Sequence, residues 1–147
     1  MTLGAGASVR RRRNAALLAL VAVTAGGLAV HTLLPDTAGS DIAGDAFYAS
    51  AAYAGIVLLA PQWSPRVVGA VAAAWCVAVE LFQLTGIPLT AGAVFPPTML
   101  LLGTVFDARD LVVYLATVTV VASVDAAVRR LSRASDLHAG AQRPTME

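Results

Sequence analysis

The fold class that this sequence predicts is all-α: a four-helix transmembrane bundle with a re-entrant or interfacial half-helix between helices 3 and 4. Three observations predict it. The 147 residues are 58% hydrophobic and 13% charged, with a mean hydropathy of +0.74, whereas soluble domains carry roughly 25% charge. Four apolar stretches approach or reach the roughly 20 helical residues needed to cross a hydrocarbon layer of about 30 Å. Proline or glycine punctuates every break between them: Pro35, Pro61, Pro65, Gly86, Pro88, Pro96 and Pro97.

Residues 1–13 read as a basic N-terminal tail that ends in the run Arg10 to Arg13. The first span follows from Asn14 to Leu34. Its apolar run of about 20 residues exceeds the 7–15 of a secretory signal, so it is expected to remain as a membrane helix. A second, short span covers Ala43 to Ala60 and is closed by "APQWSP", the third covers Arg66 to Thr85, and the fourth Asp110 to Val128. The membrane domain is therefore 14–130, and the polar residues 131–147 are expected to form a disordered tail. Between the third and fourth spans lies "GIPLTAGAVFPPTMLLLGTVFDAR", too long and too apolar for a structureless loop. Within it "TMLLLGTVF" follows a double proline; as a helix it would cover about 14 Å, roughly half the hydrocarbon layer. Backbone at that depth is tolerated only against protein or a polar cavity, so the other helices are expected to pack around it.

Arginine placement predicts the orientation. Four spans put both termini on one side, and that side then holds Arg10 to Arg13, Arg66, Arg129, Arg130, Arg133 and Arg143, with Arg109 alone on the other. This asymmetry predicts that the N- and C-termini are cytoplasmic. The chain contains no lysine, and its one cysteine, Cys76, lies inside an apolar run.

The third span poses the central question, because "AWCVAVELFQLTG" is almost wholly hydrocarbon yet carries Glu80 and, three residues on, Gln83. A spacing of three places both on one helix face. Asp45 stands at the expected outer mouth of the second span with Tyr48 on the same face, and Asp110 opens the fourth with Tyr114 four residues below it. A carboxylate in hydrocarbon costs about 2.5–3.5 kcal/mol even on lenient scales, so such groups turn inward and find partners. The acids of three spans are therefore expected to converge near the outer rim. Simpler roles stand beside that one: Glu80 and Gln83 as interhelical hydrogen-bond glue, Asp45 and Asp110 as helix caps, and the tyrosines with Trp63 and Trp75 as border or packing residues. Asp125 is four residues before Arg129 and suggests a local ion pair. Ala22 with Gly26, Ala51 with Gly55 and Gly69 with Ala73 suggest close helix packing.

The blocks "GDAFYA", "ELFQL" and "LLLGTVFDARDLVVYL" resemble the signature blocks of a family of uncharacterised small bacterial four-helix inner-membrane proteins, a domain of unknown function distantly similar to VanZ, a glycopeptide-resistance protein. The resemblance spans about residues 14–128. It implies a four-helix membrane fold and an acidic and polar outer cluster that matches Asp45, Tyr48, Glu80, Gln83, Asp110 and Tyr114, without an established reaction. Relatives usually carry an arginine shortly before the "LLLG" block; this chain reads "AGAVFPPTM" there, which leaves Arg109 as the residue able to balance the acids.

The usual catalytic kits are missing from the sequence. "GAGA" and "TAGG" lack the context of phosphate loops, two histidines support no serine–histidine–acid arrangement, and no HxxxH, CxxC or HExxH spacing points to a metal. His31 at the outer end of the first span reads as an interface residue. No cofactor, metal or nucleic acid is expected, because lipid and topology account for the arginines. The expected role is to bind a small polar or lipid-linked molecule in an outer-leaflet acidic pocket, with Asp45, Tyr48, Glu80, Gln83, Asp110 and Tyr114 as its residues. The alternatives are a membrane enzyme acting on a lipid-linked envelope precursor, with Glu80 and Asp110 as acid and base, and a structural or assembly subunit. Transport with only four spans would require a homo-oligomer.

Overall fold

The computed structural model describes residues 3–103 and 105–141, and every regular element among them is helical. Four long helices, α1 (Leu3–Leu33), α2 (Ala38–Leu59), α3 (Pro65–Gln83) and α6 (Ala108–Ala141), each contain a stretch long and apolar enough to cross a membrane. Two short ones, α4 (Ile87–Val94) and α5 (Pro97–Leu102), lie between α3 and α6. The chain is a multi-pass, all-α membrane protein whose lipid-facing residues, such as Leu18, Leu59 and Val112, are the exposed ones.

Both outer helices extend beyond their expected bounds. α1 runs straight through the arginine run, and α6 continues to Ala141, so the segment 131–141 expected to be disordered is helical. Alanine, leucine and arginine are good helix formers, and no proline interrupts either extension. Residues 142–147 of the expected tail lie outside the described residues.

α2 starts five residues before the expected Ala43. Its start is set by a reciprocal cap, in which Thr37 Oγ1 accepts the Ser40 N–H at 3.2 Å and Ser40 Oγ accepts the Thr37 N–H at 2.8 Å. Asp45 consequently sits about two turns inside the helix rather than at its mouth, and Asp41 takes the first turn. α3 is capped by Ser64 with Pro65 at its first position, and it ends where Gly86 turns the chain at φ +71°.

The half-helix expected over "TMLLLGTVF" is the shorter α5, which stops at Gly103, and a further short helix, α4, precedes it across the double proline Pro96–Pro97. α2 packs against α1, α3 and α6, while α3 and α6 pack on each other, and α4 and α5 lean on α3. Ala49, Tyr53 and Val57 of α2, Val68, Ala72 and Cys76 of α3, and Tyr114 and Val118 of α6 form the core. Glycine sets two of the helix approaches. A Cβ on Gly26 would lie 2.8 Å from the Phe47 ring of α2, and one on Gly69 would lie 3.3 Å from Ala122 of α6. Gly55 has open space around it, so Ala51 and Gly55 form no packing seam.

The two ends of the bundle differ in charge. Arg10 to Arg13, Arg66, Arg129 and Arg130 gather at the end that carries the α2–α3 turn, where Arg12 of α1 pairs with Asp125 of α6 at 2.5 Å. Tyr53 of α2 donates to the same Asp125 oxygen at 2.8 Å. Asp125 is thus engaged across the bundle, while Arg129 donates to the Trp63 carbonyl at 2.9 Å. Asp36, Asp41, Asp45, Asp107 and Asp110 occupy the opposite end with Arg109.

Candidate functional site

The acidic end encloses a cavity of about 490 Å³ between α1, α2, the end of α3 and the segment that leads into α6. Its construction begins with α5. A helix leaves its last four carbonyls without intrahelical donors, and inside a membrane no water replaces them. Here Gln83 Nε2 donates to the Leu102 carbonyl at 3.0 Å and the Tyr48 hydroxyl to the Leu101 carbonyl at 2.7 Å. Trp75 Nε1 in turn donates to the Tyr48 oxygen at 3.0 Å. Tyr48 lies ten residues along α2 from Ala38, roughly 15 Å at 1.5 Å per residue. The end of α5 therefore folds back to about half the depth of the bundle.

Beyond α5 the chain turns at Gly103, with φ +64° and ψ −162°, a conformation open essentially to glycine alone. Asp107 then caps α6, its Oδ1 accepting the Arg109 N–H at 2.8 Å. The Asp107 N–H donates to Glu80 Oε2 at 3.3 Å. Glu80 and Gln83, the two polar groups in an otherwise apolar helix, thus hold both sides of the segment that roofs the cavity.

These contacts reassign two of the six residues singled out from the sequence. Glu80 is 0% exposed and lies behind the cavity wall, and Tyr48 is engaged by Leu101 and Trp75 away from it; neither lines the space. Asp45, Gln83, Asp110 and Tyr114 do line it. Helical spacing placed Tyr48 on the face of Asp45, but the end of α5 intervenes and takes its hydroxyl. Tyr114, 5% exposed, stands between the acids: its hydroxyl donates to Asp45 Oδ1 at 3.4 Å and is within reach of the Glu80 carboxyl. The carboxyls of Asp45 and Asp110 face each other. Acids from α2, α3 and α6 therefore do converge around one tyrosine.

Of the remaining charged lining, Asp36, Asp41 and Asp107 were not singled out in advance, whereas Arg109 was expected to balance the acids and His31 to be an interface residue. Asp36 and Asp41 come from the start of α2 and the turn before it, Asp107 is the α6 cap, and His31 ends α1 on the same space. Arg109 fans toward three of the acids, 3.7 Å from Asp41, 3.7 Å from Asp107 and 3.6 Å from Asp110. It is half-exposed, and such pairs contribute about 0–1 kcal/mol each. The signal for this was present in "DARD", where a cap aspartate precedes an alternation of charge. Acceptors remain in excess: Asp45 Oδ2, Gln83 Oε1 and Glu80 Oε1 are buried without a hydrogen-bond donor, and Asp110 Oδ1 has only the distant Arg109 Nε. Among the described residues no three His, Cys, Asp or Glu side chains are placed to hold one metal ion.

No match to the chain is found among curated proteins or among solved structures. A family model does match, over residues 35–117, from the turn before α2 into the first third of α6. The matched region starts after α1 and contains every charged residue of the cavity lining. The chain with this cavity belongs to the family described as "Protein of unknown function (DUF2809)".

Proposed function

We propose that the acidic cavity binds a small polar molecule that brings hydrogen-bond donors and positive charge, an amine or ammonium compound either free or linked to lipid. The observation that carries this reading is the surplus of buried acceptors on the cavity: Asp45 Oδ2 and Gln83 Oε1 have no donor, and Asp110 Oδ1 has only Arg109 Nε, at 3.6 Å. Buried acceptors are normally paired, and each one left bare costs about 1–3 kcal/mol. A ligand amine would satisfy several at once. The volume of about 490 Å³ falls in the range of small-molecule sites, roughly 300–1,000 Å³. The acid–base alternative is less favoured, because Glu80 is sealed behind the wall.

Binding of spermidine, glucosamine and ethanolamine to the purified protein, measured by calorimetry, tests the reading. At least one amine is expected to bind saturably, and Asp45→Asn with Asp110→Asn to weaken it about tenfold or more, since a hydrogen bond to a charged group contributes about 1.5–3 kcal/mol. Saturable binding of none of them, or affinity unchanged in the double variant, would overturn it. Loss of a co-purifying partner in the double variant, with no amine bound, would point to an assembly subunit instead.

The same reading places the chain in a bacterial inner membrane, with the cavity facing outward, both termini cytoplasmic, and a distant likeness to VanZ; the arginine-rich end supports the orientation. Cys76 is buried and needs no removal before labelling. A cysteine at Gly39 is expected to react with a membrane-impermeant maleimide in intact cells, and one at Gln62 only after permeabilisation. The reverse pattern would invert the topology.

A further inference from the structure

A second cavity, of about 410 Å³, lies between α3 and α6 at the other end of the bundle. Gly69, Val118 and Ala122, where the two helices touch, form its floor, with Ala70 and Ala73 on the α3 side and Leu115, Thr119 and Ala126 on the α6 side. The two hydroxyls in its lining are already committed to their own helix, Thr119 donating to the Leu115 carbonyl and Ser123 to that of Thr119, each at 2.7 Å. The groove is therefore apolar along its length, and charge appears only at its mouth. Arg66 lines that mouth and is exposed, and Arg130, also exposed, lies one helical turn beyond Ala126 on the same face of α6. Among the described residues neither guanidinium is in an ion pair.

From this we infer that the α3–α6 groove seats one acyl chain of an anionic phospholipid from the leaflet at the arginine-rich end, with the phosphate between Arg66 and Arg130. Length and charge both fit that occupant. From Arg66 to Ala73 and from Leu115 to Ala126 the groove walls run roughly 10 and 16 Å at 1.5 Å per residue, close to the ~15 Å depth of one leaflet. Basic pockets between membrane helices suit anionic headgroups, each arginine near the surface contributing about 1 kcal/mol. A second copy of the chain would have to bury both arginines, while Asp125, the acid whose side chain is described at this end, is already committed to Arg12 and Tyr53.

Native mass spectrometry of the detergent-solubilised chain, titrated with phosphatidylglycerol or phosphatidylcholine, tests the inference. One phosphatidylglycerol is expected to be retained. Arg66→Gln with Arg130→Gln should weaken it about 30-fold, the factor equivalent to two such contacts at about 1.4 kcal/mol per tenfold. Ala70→Leu, which fills the groove without changing charge, should weaken it comparably. Arg10→Gln with Arg13→Gln removes two other exposed arginines of the same end and should leave it unchanged. An equal loss in that control would reduce the effect to diffuse attraction. Unchanged retention in Ala70→Leu would empty the groove of an acyl chain, and a change of oligomeric state with no lipid retained would assign the groove to a second copy.

Discussion

Arg12→Ala is expected to destabilise the bundle by about 3 kcal/mol, the low end of the cost of stripping one partner from a buried ion pair, because this pair is partly buried. Chemical unfolding in detergent, followed by circular dichroism, would measure it. The side chains of Arg12 and Asp125 are 13% and 18% exposed and meet at 2.5 Å. Arg12 Nη1 also donates to the Trp63 carbonyl at 2.7 Å and the Pro61 carbonyl at 2.5 Å, and Asp125 Oδ2 accepts from Tyr53 as well. One guanidinium thus joins α1, the α2–α3 turn and α6, with α2 entering through tyrosine. Removing it leaves a carboxylate enclosed and two turn carbonyls bare. Arg12→Ala combined with Asp125→Ala should cost less than Asp125→Ala and Arg12→Ala summed, because neither charge is then stranded. Arg13→Ala, at an exposed position one residue on, should stay within about 0.5 kcal/mol of the parent. An Arg12→Ala protein as stable as the Arg13→Ala protein would remove the pair from any role in holding the helices.

Gly103→Ala should be the most damaging change at the cavity. Its backbone lies at φ +64° and ψ −162°, a region that costs other residues about 1–3 kcal/mol. The new Cβ would also lie 2.2 Å from Gln83 Nε2, so the amide must leave the Leu102 carbonyl and strand it, at a further cost of about 1–3 kcal/mol. The expected result is a loss of about 3 kcal/mol with helical content retained, together with loss of amine binding as the roof moves. Gly86→Ala separates the two causes: Gly86 shares the positive φ of 71° but has nothing within 4 Å of the added atom. It should pay only the backbone cost, about 1–2 kcal/mol, and keep its ligand. Equal effects at the two glycines would mean that the contact with Gln83 does not hold the roof.

Four spans are legible in the sequence because hydropathy is a property of windows, and each break between the windows here carries proline or glycine. The start of α2 is not, because a Thr37–Ser40 cap lacks the glutamate that usually marks a capping box. Five residues of error there were enough to put Asp45 at the mouth of a helix instead of two turns down it. Convergence of the acids follows from the cost of leaving a carboxylate in hydrocarbon. What each polar residue does on arrival depends on where α5 ends, and helical periodicity says nothing about that. Tyr48, Glu80 and Gln83 were legible as inward-facing, but not as donors and acceptors for a backbone that enters the bundle between them. Arg109 was visible as the one basic residue at its end; its fan toward three acids needed the turn at Gly103 and the cap at Asp107.

The half-depth segment gives the molecule a shape as well as a roof. α4 and α5 occupy only the half of the bundle that holds the acids, so that half is broader in cross-section than the half beneath it, where the long helices stand alone. Two extra helices in one half alone displace lipid from one monolayer and not from the other, so partition between strongly and weakly curved vesicles is expected to favour a membrane that bulges toward the acidic end.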